Sequence, residues 1–257
     1  MRIVCLCENT ANRADIESEH GLSLYIEANG VKVLFDMGQT ELFARNAKRL
    51  GVDLSAVDIA VLSHGHYDHG GGLPHFLEIN KKAPVYVNPH AFGEHYNGTE
   101  KYIGLAPALK GDRRFIYTCD GMKIADGMTL YLPEGRQKPY PFGAYGLTRK
   151  EDGGFIPDEF RHEQYLQIEE KGRRVLFSGC SHNGVANIAE WFSPHVLMGG
   201  FHFSKITDAD ELTVKAAQMK TDCFYYTCHC TGAEQYRELK GKLPCLEYLS
   251  CGCDVIV

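Results

Sequence analysis

Residues 63–72 of this 257-residue chain read Ser63-His64-Gly65-His66-Tyr67-Asp68-His69-Gly70-Gly71-Gly72. Four groups able to bind a metal, His64, His66, Asp68 and His69, fall within six positions. Imidazole nitrogens and a carboxylate are the donors that divalent zinc, iron or manganese takes. The other reading is a solvated histidine-rich loop, but a charged histidine beside three other ionisable groups is costly unless a cation compensates. The glycines permit a tight backbone and leave a bound metal open on one side.

Two later histidines stand in a similar context. His229 follows the apolar run Phe224–Thr227, and His202 follows Val196–Gly200. His229 is expected to bind metal. His202 is expected to contact substrate or donate a proton, the alternatives being metal ligation or a structural histidine. His20, near the first hairpin, is expected to line the pocket. Thr231 and Gly232 precede a helix whose free N–H groups suit a phosphate or carboxylate, so both are expected to bind substrate. His75, His90, His95 and His195 have no such context and read as surface or packing residues.

These groups need strand ends to hold them. Asp58–Leu62, just before the metal-binding loop, is an apolar run of the kind a buried strand makes. A strand end lets closely spaced ligands diverge toward two metal positions. Leu22–Ala28 and Val31–Phe35 flank Asn29-Gly30, a hairpin signal. Tyr165–Glu169 and Arg174–Phe177 flank Lys171-Gly172 in the same way. Glu41 to Leu50 reads as a helix ending at Gly51. Val185–Phe192, Asp208–Lys220 (capped by Thr207) and Ala233–Lys240 are further helices. Val85–Val87, Thr129–Leu132, Val196–Met198 and Val255–Val257 are strands. Hairpins followed by strand–helix alternation imply two sheets with helices outside. The stretch from about 88 to 161 is rich in Gly, Pro and Tyr, and reads as strands separated by long loops covering the active site.

The pattern H-x-H-x-D-H after an apolar strand resembles the signature of the metallo-β-lactamase superfamily, and the likeness covers nearly the whole chain. Leu34-Phe35-Asp36-Met37-Gly38 resembles the superfamily's early Asp-x-Gly element, which implies that Asp36 orients the metal loop; the simpler reading is a turn aspartate. Glu19-His20-Gly21-Leu22-Ser23, the 63–72 loop, Gly179-Cys180-Ser181-His182, Gly199-Gly200-Phe201-His202 and His229-Cys230-Thr231-Gly232 occur in this order. Together they resemble the branch that includes archaeal 7,8-dihydropterin-6-methyl-4-(β-D-ribofuranosyl)aminobenzene 5'-phosphate synthase. The resemblance implies an α/β fold, a four-layer αββα sandwich, as a single domain over 1–257. It implies that His64 and His66 hold a first metal, and Asp68 and His69 a second that His229 completes. The chain departs from the pattern at the bridge between them: Ser178-Gly179-Cys180 stands where Gly-Asp is usual. Either Cys180 bridges as thiolate or the bridge is absent. His182 is placed to ligate, its alternative being to cap the helix that starts near Asn183. His162 lies where another superfamily histidine is found, with Glu163 as an alternative polar contact.

Composition narrows the function. Hydrophobic residues at 44% and charged ones at 23% describe an ordinary globular protein. A net charge of −6 argues against nucleic acid or an anionic membrane as partner. No window approaches the roughly 20 apolar residues of a membrane span. Met1 leads directly into a strand-like stretch without signal-peptide architecture, so the cytoplasm is the expected location. The ten cysteines then read as reduced thiols, mostly small buried hydrophobes. Three C-x-C pairs lack the C-x₂-C spacing of structural zinc or iron–sulfur sites.

The expected reaction is hydrolysis of a small phosphorylated molecule by a metal-bound hydroxide, with Asp68 and His202 catalytic. Metal lowers the pKa of water from about 16 to about 7. One alternative is a transferase that displaces diphosphate from a pterin-like substrate. Another is a non-catalytic metal-binding or redox protein on the same fold. The cofactor is one or two divalent transition-metal ions, zinc first, then iron or manganese. Arg136, Lys138, Arg149 and Lys150 either meet a substrate phosphate or are solvated surface charges. A homo-oligomer is left open.

Overall fold

The structure, a computed structural model, describes residues 1–257. Asn29 and Gly30 have φ of 50° and 76°, the left-handed pair that an Asn-Gly hairpin turn requires. They join Ser23–Ala28 to Val31–Phe35. Lys171 and Gly172, at 52° and 76°, join Tyr165–Glu170 to Arg173–Phe177 in the same way.

Each hairpin belongs to one seven-stranded sheet. The first sheet runs in the order Asp254–Ile256, Arg2–Cys7, Ser23–Ala28, Val31–Phe35, Ile59–Val61, Val85–Val87, Phe115–Tyr117. The second runs Leu246–Tyr248, Phe224–Thr227, Val196–Gly199, Arg173–Phe177, Tyr165–Glu170, Met128–Tyr131, Met122–Ala125.

Alternation along the strands sorts side chains into three apolar layers. Val33, Phe35, Val175, Phe177, Val196 and Met198 meet between the sheets. Leu34 turns outward onto a layer with Phe43 and Phe76, from the helices Leu42–Arg49 and Leu73–Ile79. Leu176 and Leu197 turn the other way, onto a layer with Ile188, Leu212 and Leu239. Those three come from the helices Val185–Phe192, Ala209–Ala217 and Ala233–Lys240. The result is the expected αββα sandwich.

Local readings differ in three places. The 88–161 stretch is made of strands and loops as expected, but four of its seven strands make a third sheet that was not expected, ordered Gly154–Pro157, Leu147–Glu151, His95–Asn97, Lys101–Tyr102. Strands of two to five residues are too short to show a period. The helix expected over 208–220 is shorter, and its cap is Asp208, whose carboxylate accepts Asp210 N–H at 2.9 Å, not Thr207. The loop after His66 folds into a short helix, Tyr67–Gly70, hidden by the following glycines.

Val31–Phe35, Ile59–Val61 and Val85–Val87 run parallel, as do Arg173–Phe177, Val196–Gly199 and Phe224–Thr227. Ligands of open α/β sheets bind beyond the carboxyl ends of such strands. Asp36, Ser63, Cys180, His202 and His229 all follow those ends. No helix is long and apolar enough to cross a membrane.

Phe177 is fully buried between the sheets, its ring 5.9 Å from that of Phe35. Phe177→Ala is expected to cost about 3–5 kcal/mol, read from urea unfolding at equal metal content. A loss below about 1 kcal/mol would mean that the inter-sheet layer is not the principal core.

Candidate metal centre

Asp36 ends its strand with φ of 60° and is wholly buried. Its Oδ1 accepts Ser63 N–H at 2.7 Å; its Oδ2 accepts the Ser63 hydroxyl and His69 Nδ1–H, both at 2.7 Å. Ser63 gives its one hydroxyl proton to Asp36, so its oxygen must accept from His64 Nδ1, 2.8 Å away. Both histidines are thereby held in the tautomer that leaves a lone pair on Nε2. His229 is held the same way by Asn9 Oδ1, 2.8 Å from its Nδ1, while its main-chain N–H reaches Glu8 Oε1 at 2.7 Å.

These lone pairs converge. His69 Nε2 lies 3.2 Å from Cys180 Sγ and 3.2 Å from His229 Nε2. His64 Nε2 lies 3.0 Å from His66 Nδ1. Asp68 Oδ2 is 3.2 Å from His229 Nε2, 3.1 Å from His20 Nε2 and 3.9 Å from His69 Nε2. With both Nδ1 protons engaged elsewhere, neutral His69 and His229 have none to share, and facing lone pairs repel unless a cation lies between them.

His182 is buried and stacks on Phe160 at 4.3 Å, yet neither ring nitrogen has a partner. His66 Nε2 and both ring nitrogens of His202 are likewise unpartnered. Each such buried group costs about 1–3 kcal/mol unless something binds it. The donors of His64, His66 and His182 lie within 4.8 Å of one another, as do those of His64, His69 and Cys180. The residues thus fit divalent metal: a nitrogen-rich position beside a mixed one that includes Asp68 and His229, with Cys180 between.

Electrostatics prepares the donors. Burial, then the neighbouring His69 and His66, hold His64 well below the usual imidazole range. Burial, then His162, does the same for His66, and burial, then His202, for His182. Burial opposes ionisation of Asp68, but His69, His20 and His229 hold it well below the usual carboxyl range. Burial also opposes charge on His69, yet Asp36 and Asp68 move its pKa upward.

Supporting residues hold the donors in place, and of these Gln164 had no sequence signal. The Glu163 carboxylate accepts His182 N–H at 2.7 Å, Asn183 N–H at 3.1 Å and the Tyr165 hydroxyl at 2.8 Å, fixing the turn that carries His182. Gln164 joins the sheets, its N–H donating to Ser63 O and its Nε2 to Leu62 O, both at 2.7 Å. A Cβ at Gly179 would stand 2.1 Å from Ser63 Oγ and 3.0 Å from His64 Nδ1, so only glycine lets the strand ends close.

A cavity of about 160 Å³ opens onto the centre. His20, His66, Asp68, Cys180, His182, His202 and His229 line it, with Tyr67, Asn97, Lys101, Leu147, Ser204, Lys205 and Cys230. Thr231 and Gly232 lie outside this lining; the Thr231 hydroxyl is turned inward and accepts Phe201 N–H at 2.8 Å. His162 is close by, but its Nδ1 accepts Gly65 N–H at 2.9 Å. Its proton is therefore on Nε2, 3.3 Å from Asp158, and it offers a metal no lone pair. His95, expected at the surface or in packing, is buried and held by Asp158 at 2.8 Å. Arg136 pairs with Asp120 and Arg149 with Glu151, and neither reaches the cavity.

The sequence model of the metallo-beta-lactamase superfamily matches residues 18–229. The chain belongs to this superfamily. It is 32% identical to an uncharacterised protein of Methanocaldococcus jannaschii, over 92% of this chain and 93% of that one. It is 31% identical to the same organism's 7,8-dihydropterin-6-methyl-4-(beta-D-ribofuranosyl)-aminobenzene-5'-phosphate synthase, over 90% and 88%. The crystal structure of Tm1679, a metal-dependent hydrolase of the beta-lactamase superfamily, superposes with a TM-score of 0.85 at 30% identity, covering 100% of this chain and 99% of that one.

Two outcomes follow from superfamily membership joined to this geometry. Asp36→Ala strands Ser63 N–H, the Ser63 hydroxyl and His69 Nδ1; metal affinity is expected to fall about 10–100-fold, measured by competition with a chromophoric chelator. Unchanged affinity would show that Asp36 does not orient the loop. In the metal-free protein, His64, His66 and His182 have lowered pKa values and His162 is pushed down to about 4. Below about 6.5 the unfolded chain binds protons at these positions that the folded chain refuses. Stability therefore falls as pH drops from about 6.5 toward 4, by up to about 1.4 kcal/mol per pH unit for each histidine. The raised pKa of His69 acts at higher pH: its contribution is gained as pH falls to about 6.5 and is constant below that, so it leaves the loss at lower pH unchanged. The urea midpoint of the metal-free protein is expected to be clearly lower at pH 5 than at pH 7; equal midpoints would contradict this account.

Proposed function

We propose that the protein is a metal-dependent hydrolase of a small phosphorylated molecule. One observation carries this reading: a single cavity brings the donor cluster together with Lys101 and Lys205. Lys205 Nζ meets the Tyr145 carbonyl at 2.9 Å, and Lys101 Nζ lies 5.6 Å from the centre of the Tyr67 ring. No carboxylate offsets either charge. Two such cations beside a metal centre suit an anionic substrate.

His64, His66 and His182 would hold one ion, and Asp68, His69 and His229 a second, with Cys180 between them. Zinc suits this mixture of nitrogen, oxygen and sulfur donors. A bound divalent ion acidifies a coordinated water and draws charge from a substrate oxygen. The chain's own groups do the rest. Lys101 and Lys205, with the Asn97 amide and Ser204 hydroxyl, bind phosphate oxygens. His202, free at both ring nitrogens, gives a proton to the leaving oxygen. His20, with about half of its side chain exposed, steadies Asp68 and borders the entrance. The third sheet contributes Asn97, Lys101 and Leu147 to the wall and limits water.

A second reading rests on the likeness to the archaeal synthase: a transferase that displaces diphosphate from a pterin-like substrate. The same lysines would hold the diphosphate. The cavity, about 160 Å³, is smaller than the roughly 300–1,000 Å³ of drug-sized ligand sites. A cleft of this size suits one small reactant beside water, which supports the hydrolytic reading.

The test is phosphate release from a panel of small phosphomonoesters and phosphodiesters by metal-reconstituted protein. Replacing Lys101 and Lys205 by Met is expected to raise KM about tenfold or more, a loss of roughly 1.4 kcal/mol or more, with kcat largely kept. His202→Ala is expected to lower kcat about 10²–10⁴-fold. Turnover that needs a nucleophile other than water would favour the transferase. No turnover at about two metals per chain would sink the hydrolase reading.

A further inference from the structure

The reading above leaves Cys230 without a role. It is buried at the edge of the cavity, and its sulfur accepts the main-chain N–H of His202 at 3.2 Å and lies 3.6 Å from the Cys180 carbonyl oxygen. Cys228, two residues earlier, packs into the inter-sheet apolar layer; Cys230 joins no apolar layer. The C-x-C pair is thus divided, one sulfur to the core and one to the metal centre. The backbone makes room for the second: a Cβ at Gly200 would stand 2.3 Å from Cys230 Sγ. The donor atoms of Cys180, His229 and Cys230 lie within 4.8 Å of one another, as do those of Cys180, His182 and His202. His202 is 9% exposed, and neither of its ring nitrogens has a partner.

We propose that Cys180 and Cys230 form a two-sulfur edge of the metal centre, sharing His229. This rests on the metal-binding part of the proposed function and not on the reaction. As an ion binds, each S–H bond breaks, a sulfur–metal bond forms, and the proton leaves to solvent. A thiolate edge selects zinc or ferrous iron over magnesium or manganese.

The experiment is anaerobic titration of the metal-free protein with cobalt(II), counting bound ions and recording sulfur-to-cobalt charge-transfer absorption in the near ultraviolet. Cys180→Ser and Cys230→Ser are each expected to lose about half of that absorption, and Cys228→Ser none. A second measurement needs no variant: thiol alkylation mapped by mass spectrometry with and without cobalt. Cobalt is expected to slow labelling of Cys180 and Cys230 about tenfold and to leave the exposed Cys119 unaffected. Full charge-transfer intensity in cobalt-loaded Cys230→Ser, or Cys230 labelled equally with and without cobalt, overturns the inference while leaving the metal reading intact. No cobalt uptake by the wild type overturns both.

Discussion

The Asp36 carboxylate is where the fold and the metal centre become one structure. It sits at the end of a first-sheet strand, wholly buried, with no lysine or arginine beside it. A bare buried carboxylate is among the costliest groups a protein can hold. Three short hydrogen bonds relieve part of that cost, and each one does something for the site. The bond from Ser63 N–H sets where the metal loop leaves its strand. The bond from the Ser63 hydroxyl fixes the tautomer of His64, and the bond from Nδ1 fixes that of His69. Remove the carboxylate and two imidazoles are free to turn their protons toward the metal. Conversely, a divalent cation held among His64, His69 and Cys180 would supply the positive charge that the buried carboxylate otherwise lacks. Metal binding and order of the loop are then one equilibrium.

The two halves of the sandwich depend on each other at the same point. His64, His66, Asp68 and His69 come from the first sheet; Cys180, His182, His202 and His229 come from the second. The distances between them, near 3.2 Å from His69 to Cys180 and His229, hold only while the sheets keep their spacing. Two devices set it. Phe35 and Phe177 fill the layer between the strands, and Gln164 bridges directly from the second sheet to Leu62 and Ser63. Packing of this kind gives by a few tenths of an ångström at most without loss of contacts. The inter-sheet core therefore acts as the gauge of the metal centre.

How far this was legible in the sequence varied with the range of the interaction. The hairpins at Asn29-Gly30 and Lys171-Gly172, the helix Val185–Phe192 and the strand before Ser63 were readable because turn chemistry and periodicity are local. His64, His66, Asp68 and His69 were readable for the same reason. Cys180 and His182 needed the resemblance to the superfamily, since nothing in their local spacing says that they meet; His229 was read from its place after a strand, and joined to Asp68 and His69 only through that resemblance. Glu163 was read only as a polar contact beside His162, and Gln164 escaped notice, because their work is to bond groups on other strands, which leaves no motif. Lys101 was missed, and Arg149 weighed instead, because both lie on the third sheet, whose strands are too short to show alternation; Lys205 lies in a turn after Val196–Gly199, where no period applies. Which basic side chain faces a cavity is settled by that sheet's register with His95–Asn97, not by composition. His162 shows the limit of ligand-type reasoning: the residue type suits a metal, but one main-chain N–H, that of Gly65, occupies the nitrogen it would need.

Backbone strain marks the same residues. Asp36, Ser181, His202 and His229 have φ between 50° and 60°, a region that non-glycine residues enter rarely, Asp and His less rarely than most. All four follow strands that end at the centre. At about 1–3 kcal/mol each, the four together approach the roughly 5–15 kcal/mol that holds a domain folded. Such conformations persist only where surrounding bonds over-determine them. Asp36 has its three bonds. His229 is gripped by Glu8 and Asn9, the Ser181 hydroxyl meets that of Ser178 at 2.9 Å, and the His202 N–H ends on Cys230 Sγ. Of the four, His202 and His229 line the cavity themselves, Asp36 holds Ser63 and His69, and Ser181 stands between Cys180 and His182. The strain therefore sits where the chain leaves the sheets for the site, and the bonds that hold it are as much a part of the site as the donors.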